Sequence, residues 1–275
     1  MGIQMPQSPA PAFADDTNSK FENVRLPDWF AAVNPSNEVL ARAVLKLDQM
    51  ARDRGVWLYP QTDFWLLKKV VAQHRSMQAG LTPQCDPEFN LLTPENSFWI
   101  VGRDESGRVV TTQATRLFDW STTNLKVEAE SLRFFYADPG RQARDGDELI
   151  MDCEGARRIT GRCIQAGTVW VHPDRRGADA DGVNLSQILA RITRFSARSR
   201  WDHDFTFSFV RNRLIESGLA ERFGYPNVEP GISLKLPDFG VVHCHLVWMN
   251  RDELIEDARL TVEGILRRPL AVRAA

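Results

Sequence analysis

Two stretches near the start of the chain repeat their apolar side chains at helical spacing. Within residues 40–47, apolar positions recur three and four residues apart, after a possible N-cap at Ser36 or Asn37. This spacing predicts an amphipathic helix that buries one face. A second amphipathic helix is predicted to follow Thr62 or Asp63.

The pattern then alternates as it does in strands. Residues 97–101 and 109–114 are rich in β-branched and aromatic side chains, and they flank the turn-forming residues 104–108. This arrangement predicts a β-hairpin. A helix is predicted after Asn124, and a loop rich in glycine and aspartate is predicted over 137–147.

The second half of the chain alternates strand-like and helix-like segments. The predicted order is a strand at 168–171, a polar turn at 172–177, a helix with an apolar face at 185–195, a strand at 205–210, a helix at about 212–222, and strands at 232–236 and 241–249. Because helices stand between strands, this order indicates a mixed α/β fold.

The composition narrows the class of protein. The chain has 275 residues, with 34 Lys and Arg against 36 Asp and Glu, so its net charge is −2. This balance argues against a protein that mainly coats nucleic acid or an anionic membrane. The sequence has no apolar run long enough to cross a bilayer and no secretory signal pattern, so we expect a cytoplasmic location. Residues 1–20 are rich in proline without an apolar period, which predicts a flexible tail.

The cysteines are scattered along the chain without a C-x-x-C pair. Such spacing fits neither a disulfide framework nor a zinc ribbon. We therefore predict reduced thiols at Cys85, Cys153, Cys163 and Cys244.

The turn after the strand at 168–171 is a candidate anion site. The N-terminus of a helix presents unpaired backbone N–H groups and the positive end of a dipole, which suit a phosphate or pyrophosphate. Within this turn, Arg175 and Arg176 add positive charge, and Gly177 permits a close approach of the backbone. An ordinary surface turn with solvated arginines is the alternative, and the spacing alone does not decide between the two.

Two motifs in this half of the chain carry a resemblance to a known family. One is WVHPDRRG at 170–177, and the other is GLAERFGY at 218–225. In these motifs the chain resembles the GCN5-related N-acetyltransferase (GNAT) superfamily, whose fourth strand leads into a pyrophosphate loop and whose late helix ends in a glycine-aromatic turn. The hairpin at 97–114 stands where the second and third strands of that family are expected. The resemblance covers about residues 90–250.

The resemblance implies a fold, a co-substrate and a reaction. The fold is a GNAT-like mixed, mostly antiparallel sheet flanked by helices. Acetyl-CoA or another acyl-CoA would place its pyrophosphate on the backbone amides between Arg176 and Val183, and its pantetheine along the splayed edge of the strand at 168–171. The acyl group would pass directly to an amine, without a covalent enzyme intermediate. The residues implied to bind the co-substrate are Trp170, Val171, Arg175, Arg176, Gly177, Ala178, Gly182, Val183 and Asn212.

Two features depart from the family pattern. The loop carries Asp179 and Asp181 beside the expected pyrophosphate, where like charges oppose binding. Either both carboxylates turn to solvent, with Gly182 as the close-approach glycine, or the co-substrate site has been lost. The tyrosine that many relatives use as an acid in the late helix is replaced by Ala220. The sequence therefore assigns no catalytic acid or base.

Three histidines outside these motifs are weaker candidates. His243 and His245 share one face of a predicted strand and could supply two metal ligands. Only Asp238 is near them in sequence and no third ligand is identified, so packing or surface positions are favoured and no metal is predicted. His203, between two aspartates, could be a base with a pKa tuned toward neutral pH, although we favour a solvated loop residue.

Three arginines share a face of the predicted helix at 185–195 and its continuation. Arg191, Arg194 and Arg198 lie opposite the apolar stripe. They could attract a phosphorylated co-substrate or an acidic partner. We favour a solvated helix surface, because exposed charges usually contribute little.

The predicted organisation is a tail at 1–20, an N-terminal helical extension at 21–90 and a GNAT-like acyl-CoA-binding domain at 91–275. The leading function is transfer of an acetyl or other acyl group to an amine of a small molecule or peptide, with no nucleic-acid or membrane partner. The acceptor pocket is expected from segments 25–90 and 115–165. The alternatives are a non-catalytic GNAT-like module that binds a partner or small ligand, and a transferase that uses another activated donor.

Overall fold

The computed structural model describes residues 22–33, 38–76, 80–178, 180, 182–236 and 239–266. Four of the sequence predictions lie outside these residues. They are the tail at 1–20, the N-cap at Ser36 or Asn37, the loop aspartates Asp179 and Asp181, and the metal candidate Asp238.

Within the described residues, eight strands form a single sheet in the order β1-β2-β3-β5-β6-β8-β7-β4. The strands are β1 Trp57–Gln61, β2 Ser97–Arg103, β3 Val109–Trp120, β4 Glu148–Met151, β5 Gly161–Val171, β6 Phe205–Arg211, β7 Asn227–Leu236 and β8 Gly240–Asn250. All neighbouring pairs are antiparallel except β5 and β6, which are parallel. The predicted hairpin is formed by β2 and β3.

Helices cover both faces of this sheet. In the described part of the chain they are α1 Leu26–Val33, α2 Glu38–Arg52, α3 Phe64–Gln73, α4 Leu125–Glu130, α5 Pro139–Gln142, α6 Gly155–Arg158, α7 Leu185–Arg200, α8 Asn212–Glu216, α9 Leu219–Phe223 and α10 Arg251–Glu263. The predicted mixed α/β fold, with a mostly antiparallel sheet flanked by helices, is confirmed. Among the described residues, no helix combines the length and the apolar character that crossing a membrane requires.

The core is divided by the sheet. On one face, strand side chains such as Ile100 and Ile164 pack with α1, α2, α7 and α10. The opposite face holds two separate apolar clusters, because successive side chains of a strand point to opposite sides. One cluster joins α3 to Trp99 and Ala114, and the other surrounds Phe207 and the elements α4, α6 and β4.

The predicted helix after residue 62 begins where the sequence places it. Asp63 is the N-cap of α3, and its side chain accepts a hydrogen bond of 3.1 Å from the Leu66 amide. The amphipathic helix around residues 40–47 is α2, whose apolar side is buried. Both helices therefore form from local periodicity.

The N-terminal segment is more than the helical extension that the sequence predicts. Residues 57–61 form β1, which pairs with β2 and lies at one edge of the sheet. Pro60 obscures the strand pattern in the sequence, and an edge strand tolerates proline because one side of its backbone needs no partner strand. The predicted boundary at 90 and 91 thus falls between two neighbouring strands.

Further differences concern short elements. The helix predicted over 212–222 is split into α8 and α9, because Gly218 adopts a left-handed conformation with φ of 76°. The predicted loop at 137–147 contains α5, and β4 follows it directly. The prediction of a continuous helix was wrong because a glycine within an apolar period interrupts the backbone without changing the period.

The arginine face of α7 contradicts the sequence prediction. Arg191 and Arg194 are completely buried, with 0% of each residue exposed. Their guanidinium groups lie 3.3 Å and 2.9 Å from the two carboxylate oxygens of Asp257 in α10. Both the solvated surface and the attraction of a phosphorylated co-substrate are therefore wrong for these two residues, because both guanidinium groups are buried and share the carboxylate of a distant aspartate.

Backbone carbonyls complete this buried ion cluster of Arg191, Arg194 and Asp257. Arg191 Nη1 donates to the Arg222 carbonyl at 2.6 Å, and Arg194 Nη2 donates to the Phe223 carbonyl at 2.5 Å. Burial lowers the pKa of Arg191, with the charge of Asp257 opposing that effect. The cluster ties α7, α9 and α10 together.

We expect Asp257→Ala to destabilise the fold by about 3–5 kcal/mol, because it leaves two buried guanidinium groups without a counter-charge. Urea denaturation of both proteins measures the difference. Glu38→Gln is the control, because Glu38 pairs with Arg42 at an exposed position and its loss should change stability by less than about 1 kcal/mol. Equal stability of Asp257→Ala and the native chain would contradict this account.

Candidate functional site

The two central strands β5 and β6 separate after a short contact. Their parallel pairing covers three residue pairs, and the last of these joins Gln165 to Phe207. Beyond that row, β5 continues to Val171 and β6 to Arg211, and no further pair joins them in this fully described part of the sheet. Residues 167–169 of β5 are partly exposed although they lie in the middle of the sheet. A wedge-shaped gap therefore opens between β5 and β6.

A β-bulge in β5 accounts for this gap. Thr112 and Ala114 of β3 pair with Trp170 and Gly167 of β5, so β5 carries one extra residue between these pairs. Thr168 lies in the bulge with φ of 51°, a conformation unusual for a threonine. Its Oγ1 accepts a hydrogen bond of 3.2 Å from the Ala114 amide, which helps to hold the bulge. The bulge bends β5 away from β6.

The loop after β5 presents its backbone openly. Gly177 and Gly182 have φ of 119° and 73°, and a Cβ at either position would meet no heavy atom within 4 Å. An antiparallel bridge between Ala178 and Asn184 closes the loop at the start of α7. This conformation leaves space for a ligand to approach the two glycines.

Some amides of this region already have partners. Asn184 and Gln187 form a capping box in which the Asn184 amide donates to Gln187 Oε1 at 2.9 Å, and the Gln187 amide donates to Asn184 Oδ1 at 3.0 Å. The Arg176 amide donates to the Pro173 carbonyl at 3.1 Å. An anion at the loop would therefore depend on the amides that follow Arg176 and precede Asn184.

A cleft of about 340 Å³ lies beside this loop. Three arginines and two aspartates give it a mixed charge with an excess of positive groups. Arg175 is held by an ion pair of 3.6 Å with Asp104. The lining residues are Asp53, Arg54, Val56, Asp174, Arg175, Arg176, Gly177, Ala178 and Leu185.

The implied co-substrate residues lie at the end of β5, in the loop that follows it, and at the end of β6. Arg175, Arg176, Gly177 and Ala178 line the cleft, and Gly182 and Val183 belong to the same loop. Trp170 and Val171 form the end of β5, and Asn212 begins α8 where β6 ends. Their contact with a co-substrate stays a prediction.

Two of these residues have informative surroundings. Trp170 is almost buried, its ring lies 4.6 Å from that of His74, and its Nε1 is buried without a hydrogen-bond partner. Asn212 Oδ1 accepts a hydrogen bond of 3.0 Å from Nδ1 of His245. This bond fixes the Asn212 side chain at the far end of the gap.

Arg54 is a site residue that sequence reasoning missed. It follows α2 and lines the cleft, and its Nη2 donates to the Val183 carbonyl at 3.2 Å. The two residues are 129 positions apart. No local motif marks Arg54, because only the packing of α2 against α7 brings it to the loop.

The remaining candidates have structural positions. His203 is 1% exposed, its Nδ1 donates to the Trp201 carbonyl at 3.0 Å, and its Nε2 accepts from Thr206 Oγ1 at 2.9 Å. Neither the solvated loop nor the tuned base is therefore correct. His243 is exposed, and no group of three or more metal-binding side chains occurs among the described residues.

The cysteine prediction is confirmed. All four cysteines are free and buried. Burial raises the pKa of the Cys153 and Cys244 thiols to about 11, so both are protonated near neutral pH.

The chain matches no family model and no curated protein. It is similar to the structure of Arabidopsis thaliana NAA60 in complex with acetyl-CoA, at 11% identity over 72% of this chain and 99% of that chain, with a TM-score of 0.42. A GNAT-family acetyltransferase from Streptococcus pneumoniae is similar at 10% identity over 70% and 99% of the two chains, with a TM-score of 0.38. An uncharacterized protein from Bacillus halodurans is similar at 9% identity over 62% and 67%, with a TM-score of 0.36.

GNAT acetyltransferases are thus among the structural neighbours of this chain.

His203 should make stability depend on pH. Burial lowers its pKa from 6.5 to about 4, so between these values the unfolded chain binds a proton that the folded chain does not. We expect stability to fall as the pH is lowered from about 6.5 to about 4. Between pH 7 and pH 5, His203→Gln should lose less of its free energy of unfolding than the native chain does, as measured by urea denaturation at both pH values. The exposed His243→Gln is the control, and equal losses in all three proteins would refute the assignment.

Proposed function

We propose that this protein is an N-acyltransferase that moves an acetyl or other acyl group from acyl-CoA to an amine. The observation that carries the proposal is the gap between β5 and β6, which a bulge at Thr168 opens beside a glycine-containing loop and the start of α7. The gap and the loop together suit a ligand that is long, amide-bearing and phosphorylated.

The gap suits the pantetheine arm of CoA. Past Gln165, the backbone of β5 is not paired with β6, so its N–H and C=O groups can bind a ligand as an exposed strand edge does. Pantetheine contains two amide groups that can make such bonds. Trp170 Nε1 adds a buried donor without a partner at the end of the same strand.

The loop suits the pyrophosphate. Gly177 and Gly182 leave the backbone open, and the cleft beside them holds Arg54, Arg175 and Arg176. Arginine binds phosphate through several hydrogen bonds at once. We infer that the diphosphate lies between the amides after Arg176 and the arginines of the cleft.

The chemistry would be a direct transfer. The amine nitrogen of the acceptor forms a bond to the thioester carbonyl carbon, and the carbon–sulfur bond breaks. The amine loses one proton and the departing thiolate gains one, so the products are an amide and CoA. In such a reaction the chain mainly holds the two substrates in register.

The non-catalytic module remains the second candidate, on a specific observation. Many GNAT enzymes use a tyrosine in the late helix as the general acid. Here that position is Ala220, which is 1% exposed in α9. Its buried methyl group cannot donate a proton to a thiolate. A chain that binds acyl-CoA without transferring the acyl group would have the same gap.

A thermal-shift titration with acetyl-CoA, free CoA and ATP tests co-substrate binding. We expect both CoA species to raise the unfolding temperature, because a ligand at 100 times its Kd stabilises a protein by about 2.7 kcal/mol. We expect no rise with ATP, because ATP has no pantetheine arm to bind in the gap. No rise in a protein that unfolds cooperatively refutes the acyl-CoA site. Binding without release of CoA thiol in the presence of amines favours the non-catalytic module.

Arg176→Ala tests the loop. Arg176 Nε donates to the Val171 carbonyl at 2.9 Å, which directs the side chain along the end of β5. We expect the variant to weaken CoA binding by about 1–3 kcal/mol, or about 5- to 150-fold in Kd, because it loses a hydrogen bond to a charged group. Calorimetric titration measures the Kd. Arg259→Ala, on the exposed side of α10, is the control, and equal Kd values for both variants would exclude the role of Arg176.

A further inference from the structure

Arg116 on β3 is a largely buried cation without a counter-charge. Its Nη1 donates to the Gln84 carbonyl at 2.9 Å, and its guanidinium lies 4.6 Å from the centre of the Phe118 ring. Its Nε is buried without a hydrogen-bond partner, and none of the ion pairs found among the described residues includes it. Burial lowers the pKa of Arg116 to about 10, which still leaves it charged near neutral pH.

The other buried arginines show what is missing here. Arg191 and Arg194 share the carboxylate of Asp257. A buried charge without an opposite charge is strongly destabilising, so proteins rarely keep one that has no partner. Arg116 therefore has no charged partner within the described part of the chain, which suits a residue that binds an anionic ligand.

The position of Arg116 connects it to the proposed transfer site. Arg116 pairs with Gln165 on β5, and Gln165 pairs with Phe207 on β6. This row is the last one before β5 and β6 separate. Because neighbouring strands lie about 4.8 Å apart, the Arg116 side chain begins within roughly 10 Å of the gap.

The surroundings of Arg116 leave polar groups for a ligand. Arg116 lies between the two apolar clusters on this face of the sheet. Phe118, two residues further along β3, belongs to one cluster, and Cys85, next to Gln84, belongs to the other. The next pair of residues on the same face is Ala114 and Gly167, and the Gln165 amide lies over Gly167, since a Cβ there would be 2.2 Å from Gln165 Nε2. Gln84 Oε1 is buried without a partner and can accept a hydrogen bond from an N–H group of the acceptor amine.

We propose that Arg116 binds a carboxylate of the acceptor, so that the acceptor is an amine that also carries a carboxylate, such as an amino acid. A guanidinium donates two parallel hydrogen bonds to a carboxylate, and one cation balances one carboxylate. A phosphate carries more charge than this single arginine neutralises. The inference rests on the proposed acyltransferase function and names the substrate class of that site.

The test compares acids with their amides. The native chain, Arg116→Met and Arg103→Met are supplied with saturating acetyl-CoA and with the twenty standard amino acids, β-alanine and the corresponding carboxamides, and CoA thiol release is measured. Methionine keeps much of the volume of the arginine stem and removes the charge. Arg103 is the matched control, because it also stacks on an aromatic ring, that of Tyr59, but lies at the β1 edge of the sheet.

We expect at least one acid to be acylated with a kcat/KM about 10-fold or more above that of its amide. Arg116→Met should lower kcat/KM for that acid by about 10- to 150-fold, the range for losing hydrogen bonds to a charged group, and change the value for the amide by less than about 3-fold. Arg103→Met should change neither. Equal effects of Arg116→Met on acid and amide would overturn the inference.

Two further measurements separate folding and co-substrate binding from acceptor recognition. Arg116→Met should keep the CoA affinity of the native chain and should unfold at the same or a higher temperature, because an unpaired buried charge is removed. A large fall in unfolding temperature would make Arg116 a structural residue and refute the inference. If the native chain acylates carboxamides but no carboxylate-bearing amine, the inference alone fails. If it binds CoA and acylates none of these amines, the acyltransferase function fails with it. If it does not bind CoA, the proposed function fails as well.

Discussion

The extra residue at Thr168 in β5 is the constraint on which the candidate site depends. A regular strand there would continue to pair with β6, and the centre of the sheet would be closed. The bulge instead ends the pairing at Gln165 and Phe207 and exposes the backbone of β5. The positive φ of Thr168 is a local strain that the Ala114 hydrogen bond offsets. Backbone strain of this kind clusters at functional sites, which agrees with the proposed role of the gap.

The loop at the end of β5 needs a fixed helix behind it. The buried cluster of Arg191, Arg194 and Asp257 supplies this by joining α7 to α10 and to the carbonyls that end α9. Gly224 has φ of 78°, and a Cβ there would lie 2.3 Å from Asp257 Oδ1, so only glycine fits beside the cluster. The glycine-aromatic turn thus has a structural reason of its own, apart from any ligand.

Buried arginines occur in two different environments in this fold. In α7, Arg191 and Arg194 share the carboxylate of Asp257 and hold helices together. On β3, Arg116 contacts a carbonyl and an aromatic ring, no carboxylate among the described residues pairs with it, and it lies in the row where the strands separate. A buried arginine without a carboxylate partner beside an open gap suits the recognition of a ligand, whereas arginines that share a carboxylate inside the core suit a structural role.

The sequence by itself determined the elements whose signal is local. The apolar period of α2, the cap at Asp63, the hairpin of β2 and β3, and the strand–turn–helix order around 168–195 follow from neighbouring residues, and they suffice for the mixed α/β fold. Only the tertiary structure decided that Arg191 and Arg194 are buried, since their partner Asp257 lies more than sixty positions away. The tertiary structure also decided that Arg54 contacts the loop after β5, and that the pairing of β5 with β6 ends at Gln165. Burial, charge pairing and strand separation depend on contacts between distant segments, and no local pattern encodes them.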